Sequence, residues 1–222
     1  MIIGRRLHYL FFVTLLVSTL CFSAPDIRAD SLPATAEEIT PLATGDKAPT
    51  FTVQTVDDEP FEFDPSELKD PTVLISFRGG WCPFCNMYLS ELRTVIPDIR
   101  AMGFEVLFIS NDRPEVLHSS LKDETRDDID GLDYVILSDA GLNAANAFGT
   151  AFKIPESLIP KLENKNADYA GSSIEKFDAL AVPSVYLVDT KGQIVFDYVN
   201  PNYKIRLPAE ELLQAAQRIH GQ

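Results

Sequence analysis

The residues best suited to chemistry are Cys82 and Cys85, in the run Phe77-Arg78-Gly79-Gly80-Trp81-Cys82-Pro83-Phe84-Cys85. Two cysteines three apart on a helix share one face and can close a small disulfide. The run follows an apolar stretch, Thr72 to Phe77, so the pair falls where a strand ends and a helix begins. Cys82 at the helix start meets unpaired N–H groups and the positive end of the macrodipole, which favour a thiolate. Pro83 fits the first helical turn, where no N–H is needed. Thiolates at such positions have pKa values lowered to roughly 3.5–7.5, so the spacing predicts reversible dithiol–disulfide chemistry. A structural staple usually joins distant segments, because long loops constrain the unfolded chain more. A zinc knuckle needs four ligands, and beyond Cys21 the chain offers only this pair with His118 and His220, neither at ligand spacing. No metal and no cofactor is expected.

The elements that position the pair read as alternating strands and helices. Thr50 to Val56 alternates as a strand, Asp57-Asp58-Glu59-Pro60 turns, and Phe61 to Phe63 resumes extended structure, which predicts a hairpin. Val73 to Phe77 has the near-continuous apolar character of a central strand. Tyr88, Leu92, Val95, Ile96, Ile99 and Met102 form a helical stripe, which Pro97 should kink or end. Further strands are expected at Glu105–Ser110, Tyr134–Leu137, Val185–Val188 and Ile194–Val199. Helices are expected at 113–124, 141–148 and 209–219. The fold class is therefore α/β, a mixed central sheet flanked by helices. Residues 150–181 interrupt this alternation. Such a long insertion reads as a surface addition or as a lid near the cysteines, with the surface addition preferred.

Arg5 and Arg6 precede an apolar run, Tyr9 to Phe22, and then small and polar residues. This is the pattern of a secretory signal peptide, residues 1–29, cleaved after Ala29; an uncleaved membrane anchor is the alternative. Residues 30–44 read as a linker and 45–222 as one domain. The expected location is periplasmic or extracellular, where disulfides persist. The chain carries a net charge of −14, and losing a segment of net charge +2 takes it to −16. That acidity opposes binding to nucleic acid or an anionic membrane.

Trp81-Cys82-Pro83-Phe84-Cys85 together with Val182-Pro183-Ser184 resembles the thioredoxin fold, whose members carry a cis-proline facing the cysteine pair; Pro183 matches that position. The wider pattern is similar to the peroxiredoxin-like branch, the alkyl hydroperoxide reductase and thiol-specific antioxidant family. Gly45-Asp46-Lys47-Ala48-Pro49-Thr50-Phe51 resembles its opening motif, and Ile109-Ser110-Asn111-Asp112 and Leu137-Ser138-Asp139 resemble its later strand ends. Asn200-Pro201-Asn202-Tyr203 resembles a tail motif of the C-x-x-C-bearing subgroup. The likeness spans residues 44–220 and implies a thioredoxin-like fold with an N-terminal hairpin extension. It also implies a hydroperoxide substrate and a thioredoxin-like electron donor.

The chain departs from the family's pattern. Its peroxidatic cysteine falls on Cys85, its threonine on Cys82 and its proline on Arg78. Its catalytic arginine falls near Pro183 and is absent, so Arg78 becomes the candidate replacement. Ser76 stands where thioredoxins bury an acid. Two functions compete: a thiol peroxidase, and a protein thiol–disulfide oxidoreductase attacking through an exposed Cys82, with Cys85 resolving. Trp81, Pro183 and Arg78 are the substrate-orienting candidates for either. A redox-inert binding module is the third reading.

Overall fold

The structure, a computed structural model, describes residues 32–129, 135–165 and 167–221. The expected signal segment, residues 1–29, lies outside them. Strand β3 (Thr72–Phe77) is an interior strand of a seven-stranded sheet. It pairs in parallel with β4 (Glu105–Ser110) and antiparallel with β8 (Ser184–Val188). Beyond β4 comes β5 (Val135–Ser138), parallel to it, and then the hairpin β1 (Phe51–Gln54) and β2 (Pro60–Phe63). Strand β9 (Ile194–Val199) closes the other edge, giving the order β2-β1-β5-β4-β3-β8-β9.

The apolar run of β3 buries both faces because alternate side chains point to opposite sides of a strand. Val73, Ile75 and Phe77 join the core beneath α1 (Pro83–Leu92), α2 (Ile96–Ala101) and α7 (Ala209–His220). Leu74 faces the other way, onto Phe51, Phe63 and the helix α4 (Asn143–Ala147). The predicted stripe from Tyr88 to Met102 divides at 93–95, and Pro97 sits in the first turn of α2, where a missing N–H costs no hydrogen bond.

Several expectations need correcting. The helix anticipated over 113–124 is a 3-10 turn at Pro114–Val116 followed by α3 (Asp123–Ile129), since Asp112 and Ser120 are drawn toward the cysteine loop instead. The stretch read as a linker packs on the body from residue 32 onward. Pro33 accepts a hydrogen bond from Lys153 N, Leu42 N donates to Phe148 O, and Thr44 N donates to Asp197. The 150–181 insertion is closed at its base by a two-stranded sheet, β6 (Ala151–Lys153) with β7 (Ala179–Ala181), and contains α5 (Ile159–Glu163) and α6 (Ser173–Phe177). Its apolar cluster, Ile154, Leu162, Ile174 and Leu180, packs against Trp81. The preferred reading of a plain surface addition is therefore replaced by a segment set against the cysteine loop.

All peptide bonds among the described residues are trans, Val182–Pro183 included, which corrects the expected cis bond. The chain runs extended from β7 to β8, as a residue before proline prefers. Val182 N donates to Thr150 O at 2.9 Å along the way.

Candidate active site

The end of β3 delivers the chain into the loop Arg78–Trp81, and Cys82 becomes the N-cap of α1 with an extended backbone (φ −88°, ψ 114°). Its carbonyl accepts from Cys85 N at 3.0 Å and Asn86 N at 3.2 Å, which starts the helix. Both cysteines are free thiols. Cys82 is 1% exposed and Cys85 fully buried, so the expected exposure of Cys82 is wrong. It joins the core under β3, with Trp81 and Phe84 packed alongside.

The two thiols are driven apart in acidity. The Cys82 pKa falls to about 6 because the Cys85 thiol donates a hydrogen bond to its sulfur. Burial opposes this, while the charge of Arg78, the Cys85 backbone N–H and the charge of Arg206 assist. Burial pushes the Cys85 thiol well up, and donation to Cys82 together with the neighbouring thiolate charge pushes it further. At neutral pH the arrangement is a Cys82 thiolate held by a Cys85 thiol, the distribution that nucleophilic sulfur chemistry requires.

Two arginines flank the pair. Arg78 is 6% exposed and lies between aromatic rings, its guanidinium carbon 5.1 Å from the Trp81 ring and 4.3 Å from that of Tyr203. It is a clamped cation, not a solvated rim residue. Tyr203 also meets Phe84 edge-on, with centroids 5.7 Å apart. Arg206, which follows the 200–204 turn, brings Nη2 to 3.6 Å from Cys85 Sγ. Its role was not legible in the sequence, because 121 residues separate it from Cys85 and no motif marks it. Pro183 and Ser76 line a small cavity with Tyr88 and Arg206. They thus stand beside Arg206 on the Cys85 side of the pair.

Two further residues shape the loop. Asn86 Nδ2 donates to Gly80 O at 2.6 Å and to Cys82 O at 3.0 Å, while its Oδ1 accepts from Lys122 N at 2.9 Å. Asp112 Oδ2 accepts from Gly80 N at 2.8 Å and from Ser120 Oγ at 3.1 Å. The Trp81 indole N–H lies against the same carboxyl and also favours its charged form. Burial pushes the Asp112 carboxyl up to about 6 against the pull of the Gly80 N–H, the Ser120 hydroxyl and the Trp81 indole.

An acid whose folded pKa is raised binds more protons folded than unfolded, so its contribution favours folding below pH 4 and fades as pH rises through 6. The stability advantage of wild type over Asp112→Asn should therefore shrink by roughly 2–3 kcal/mol between pH 4 and pH 7. Urea unfolding across that range checks this; a pH-independent difference would mean that Asp112 does not titrate there.

Comparison with known proteins fits this geometry. Thiol-disulfide oxidoreductase ResA of Halalkalibacterium halodurans is 26% identical over 105 residues, 47% of this chain and 56% of that protein. The chain thus spans little more than half of that relative. The ResA protein of Bacillus thuringiensis is 22% identical over 124 residues, 56% of this chain and 67% of that one. Among solved structures, peroxidoxin BcpB of Mycobacterium tuberculosis superposes with a TM-score of 0.57 at 19% identity, covering 80% of this chain and 98% of that one. A peroxiredoxin-like protein of Aquifex aeolicus gives 0.57 at 16% identity, covering 81% and 89%. These likenesses show the fold. No helix among the described residues is long and apolar enough to cross a membrane. The model of the AhpC/TSA family matches residues 44–197, well over half the sequence and the whole of the strand–cysteine–helix unit, and the chain belongs to that family.

Proposed function

We propose that this protein is an exported thiol peroxidase in which Cys82 attacks the hydroperoxide and Cys85 resolves. The observation that carries the reading is the burial of a low-pKa Cys82 between two arginines. Both oxidants must meet the sulfur in line with the bond that breaks, but a hydroperoxide brings only a small group to a residue that is 1% exposed, whereas a protein disulfide brings a whole chain.

The Cys82 thiolate attacks the terminal oxygen of ROOH, the O–O bond breaks, and the leaving alkoxide takes a proton from water to give ROH. Arg78, beside the thiolate, stabilises the charge that develops on the departing oxygen. Cys82 is now a sulfenic acid. The Cys85 sulfur attacks it and water leaves, closing the disulfide. Arg206, in contact with the Cys85 sulfur, favours its deprotonation for that step. A thioredoxin-like dithiol donor then reduces the disulfide. This assignment inverts the family alignment, which puts the peroxidatic sulfur at Cys85; a fully buried thiol with a strongly raised pKa is the poorer nucleophile.

The likeness to ResA supports a second reading, a protein thiol–disulfide oxidoreductase that also attacks through Cys82. It requires the covering side chains to open, and the trans Val182–Pro183 bond removes the expected thioredoxin-type docking feature. Oxidation rates of the reduced protein by hydrogen peroxide and by a protein disulfide, measured side by side, decide between them. The expected result is a peroxide rate at least about tenfold above that of a free thiol, and above the disulfide rate. Peroxide reactivity equal to a free thiol, with ready mixed-disulfide formation at Cys82, would reverse the assignment.

Export rests on the basic, apolar and small-residue order of residues 1–29. N-terminal sequencing of the secreted fraction should begin at Asp30; an intact Met1 on membrane-bound protein would support the anchor instead.

A further inference from the structure

Two small cavities meet at the end of β3. One, of about 10 Å³, is the cavity lined by Tyr88, Pro183 and Arg206. The other, of about 20 Å³, is lined by Asp139, Thr150 and Tyr186. Ser76 and Ser184, directly opposed in the β3–β8 ladder, line both. Each volume suits about one water molecule. The polar atoms around them favour one. Among the residues of the first cavity, the Tyr88 hydroxyl and the Arg206 Nε and Nη1 are buried without a hydrogen-bond partner, and in the second the Tyr186 hydroxyl is. Buried polar atoms seldom stay unpaired, and ordered water is the usual remedy.

One cavity reaches a sulfur and the other a carboxyl. Arg206 lines the first and holds Nη2 3.6 Å from Cys85 Sγ. Asp139, 2% exposed, lines the second. Its Oδ1 accepts from Ala144 N at 3.1 Å and its Oδ2 from Ala145 N at 2.9 Å. Of the residues that β3, β4, α4 and β8 bring to this cavity, Tyr186 is the only other titratable one, and none is a cation. Burial pushes the Asp139 carboxyl up to about 7 against the pull of three backbone N–H groups. The chemistry given above leaves this acid unused. Cys85, fully buried, must lose a proton each time it resolves and regain one each time the disulfide is reduced.

We propose that Asp139 stores the proton of Cys85, exchanging it through one water in each cavity and the hydroxyls of Ser76 and Ser184. As Cys85 Sγ attacks the Cys82 sulfenic acid, the S–S bond forms and the S–O bond breaks. Hydroxide leaves as water with a proton from solvent, and the Cys85 proton passes to the Asp139 carboxylate. In the return half, a thiolate of the dithiol donor attacks Cys82 Sγ and the S–S bond breaks toward Cys85. Asp139 gives its proton back to the departing thiolate, and the donor's second thiol then displaces Cys82 and leaves the donor as a disulfide. Asp139 touches neither sulfur, so it is a positioning residue acting through water. The relay rests on Cys85 as the resolving sulfur, which the peroxidase and disulfide-exchange readings share.

Reduction of the oxidised protein by dithiothreitol tests it, with acid quenching and alkylation to count thiols. The rate is taken per dithiothreitol thiolate over pH 6–8.5. In the unmodified protein it should be level below pH 7 and fall about tenfold by pH 8.5, less than a directly placed acid supplies because water intervenes. Ser76→Val, which fills the junction of the cavities and leaves the Asp139 hydrogen bonds to α4 intact, should hold the lower rate at every pH, as should Asp139→Asn. Asp112 on the Cys82 side is common to all three proteins, so the difference between their profiles excludes it.

A level profile in the unmodified protein overturns the relay, as does a fall that survives in Ser76→Val or in Asp139→Asn. If Asp139→Asn does not fold, Ser76→Val decides alone. The assay contains no peroxide, which separates the two proposals. Profiles as expected, with peroxide oxidising Cys82 no faster than a free thiol, leave the relay standing and remove the peroxidase reading. Fast peroxide oxidation with a level reduction profile does the reverse.

Discussion

Cys82→Ser is expected to abolish peroxide consumption, because a serine hydroxyl cannot accept the peroxide oxygen and no other described thiol is a thiolate at neutral pH. Cys85→Ala should behave differently. It should still consume one equivalent of peroxide and stop at a sulfenic acid on Cys82, which a dimedone-type probe would trap. It should also react more slowly. The Cys85 thiol is the largest contribution lowering the Cys82 pKa, and its loss should move the midpoint of the rate–pH profile up from about 6 by about a unit, roughly a tenfold loss of rate at low pH. In the unmodified protein the rate should rise with pH and level off above about 6, as the thiolate fills. Pre-steady-state mixing with hydrogen peroxide over pH 5–8 measures all three. Sulfenic acid trapped on Cys85 in Cys82→Ser, at a rate comparable to the unmodified protein, would return the peroxidatic role to Cys85.

Gly80→Ala should be nearly as damaging without touching a sulfur. A Cβ at position 80 would meet the backbone carbonyl oxygen of Ser120 at 2.5 Å, with the Ser120 carbonyl carbon closer still. Backbone cannot rotate away as a side chain does, so the 112–120 segment must shift. That shift breaks the hydrogen bond from Gly80 N to Asp112. Overpacking of this kind costs on the order of 3 kcal/mol, which urea unfolding would measure. The same substitution should raise the Cys82 pKa, because the loop that places Arg78 moves with it; thiolate absorbance against pH gives that value. A stability change under about 0.5 kcal/mol with an unchanged thiol pKa would show that the loop tolerates the added methyl. Gly79 is constrained for another reason: its φ of +143° suits glycine, and a Cβ there would meet Asp112 Oδ1 at 2.5 Å.

Much of this architecture was legible in one dimension, and the reason is periodicity. The near-continuous apolar run of Val73–Phe77 reads as a strand covered on both faces, and it is an interior strand of the sheet. The hairpin around Asp57–Pro60 and the division of the helix near Pro97 follow from turn chemistry and from a missing N–H. The spacing of Cys82 and Cys85 at a strand–helix junction, with Pro83 in the first turn, is enough to place one sulfur at a helix N-cap. These are local effects, encoded within a few residues.

The tertiary structure alone decided what surrounds the sulfurs. Local sequence suggested an exposed Cys82; burial of α1 against the sheet enclosed it. Arg206 reaches Cys85 from 121 residues away, and Asp112 holds Gly80 from 32 residues away. Tyr203 reaches Arg78 from the far end of the domain sequence and meets it opposite Trp81, its neighbour in the loop. The insertion gave no periodic signal, because its short elements are held by packing on Trp81 and by the β6–β7 pair and not by a pattern of their own. Sequence by itself thus determined that two sulfurs meet at a strand–helix junction, since spacing along a helix is a local property. Which sulfur is the thiolate, and what can reach it, depends on charges and desolvation contributed by distant segments, and these exist only once the chain has folded.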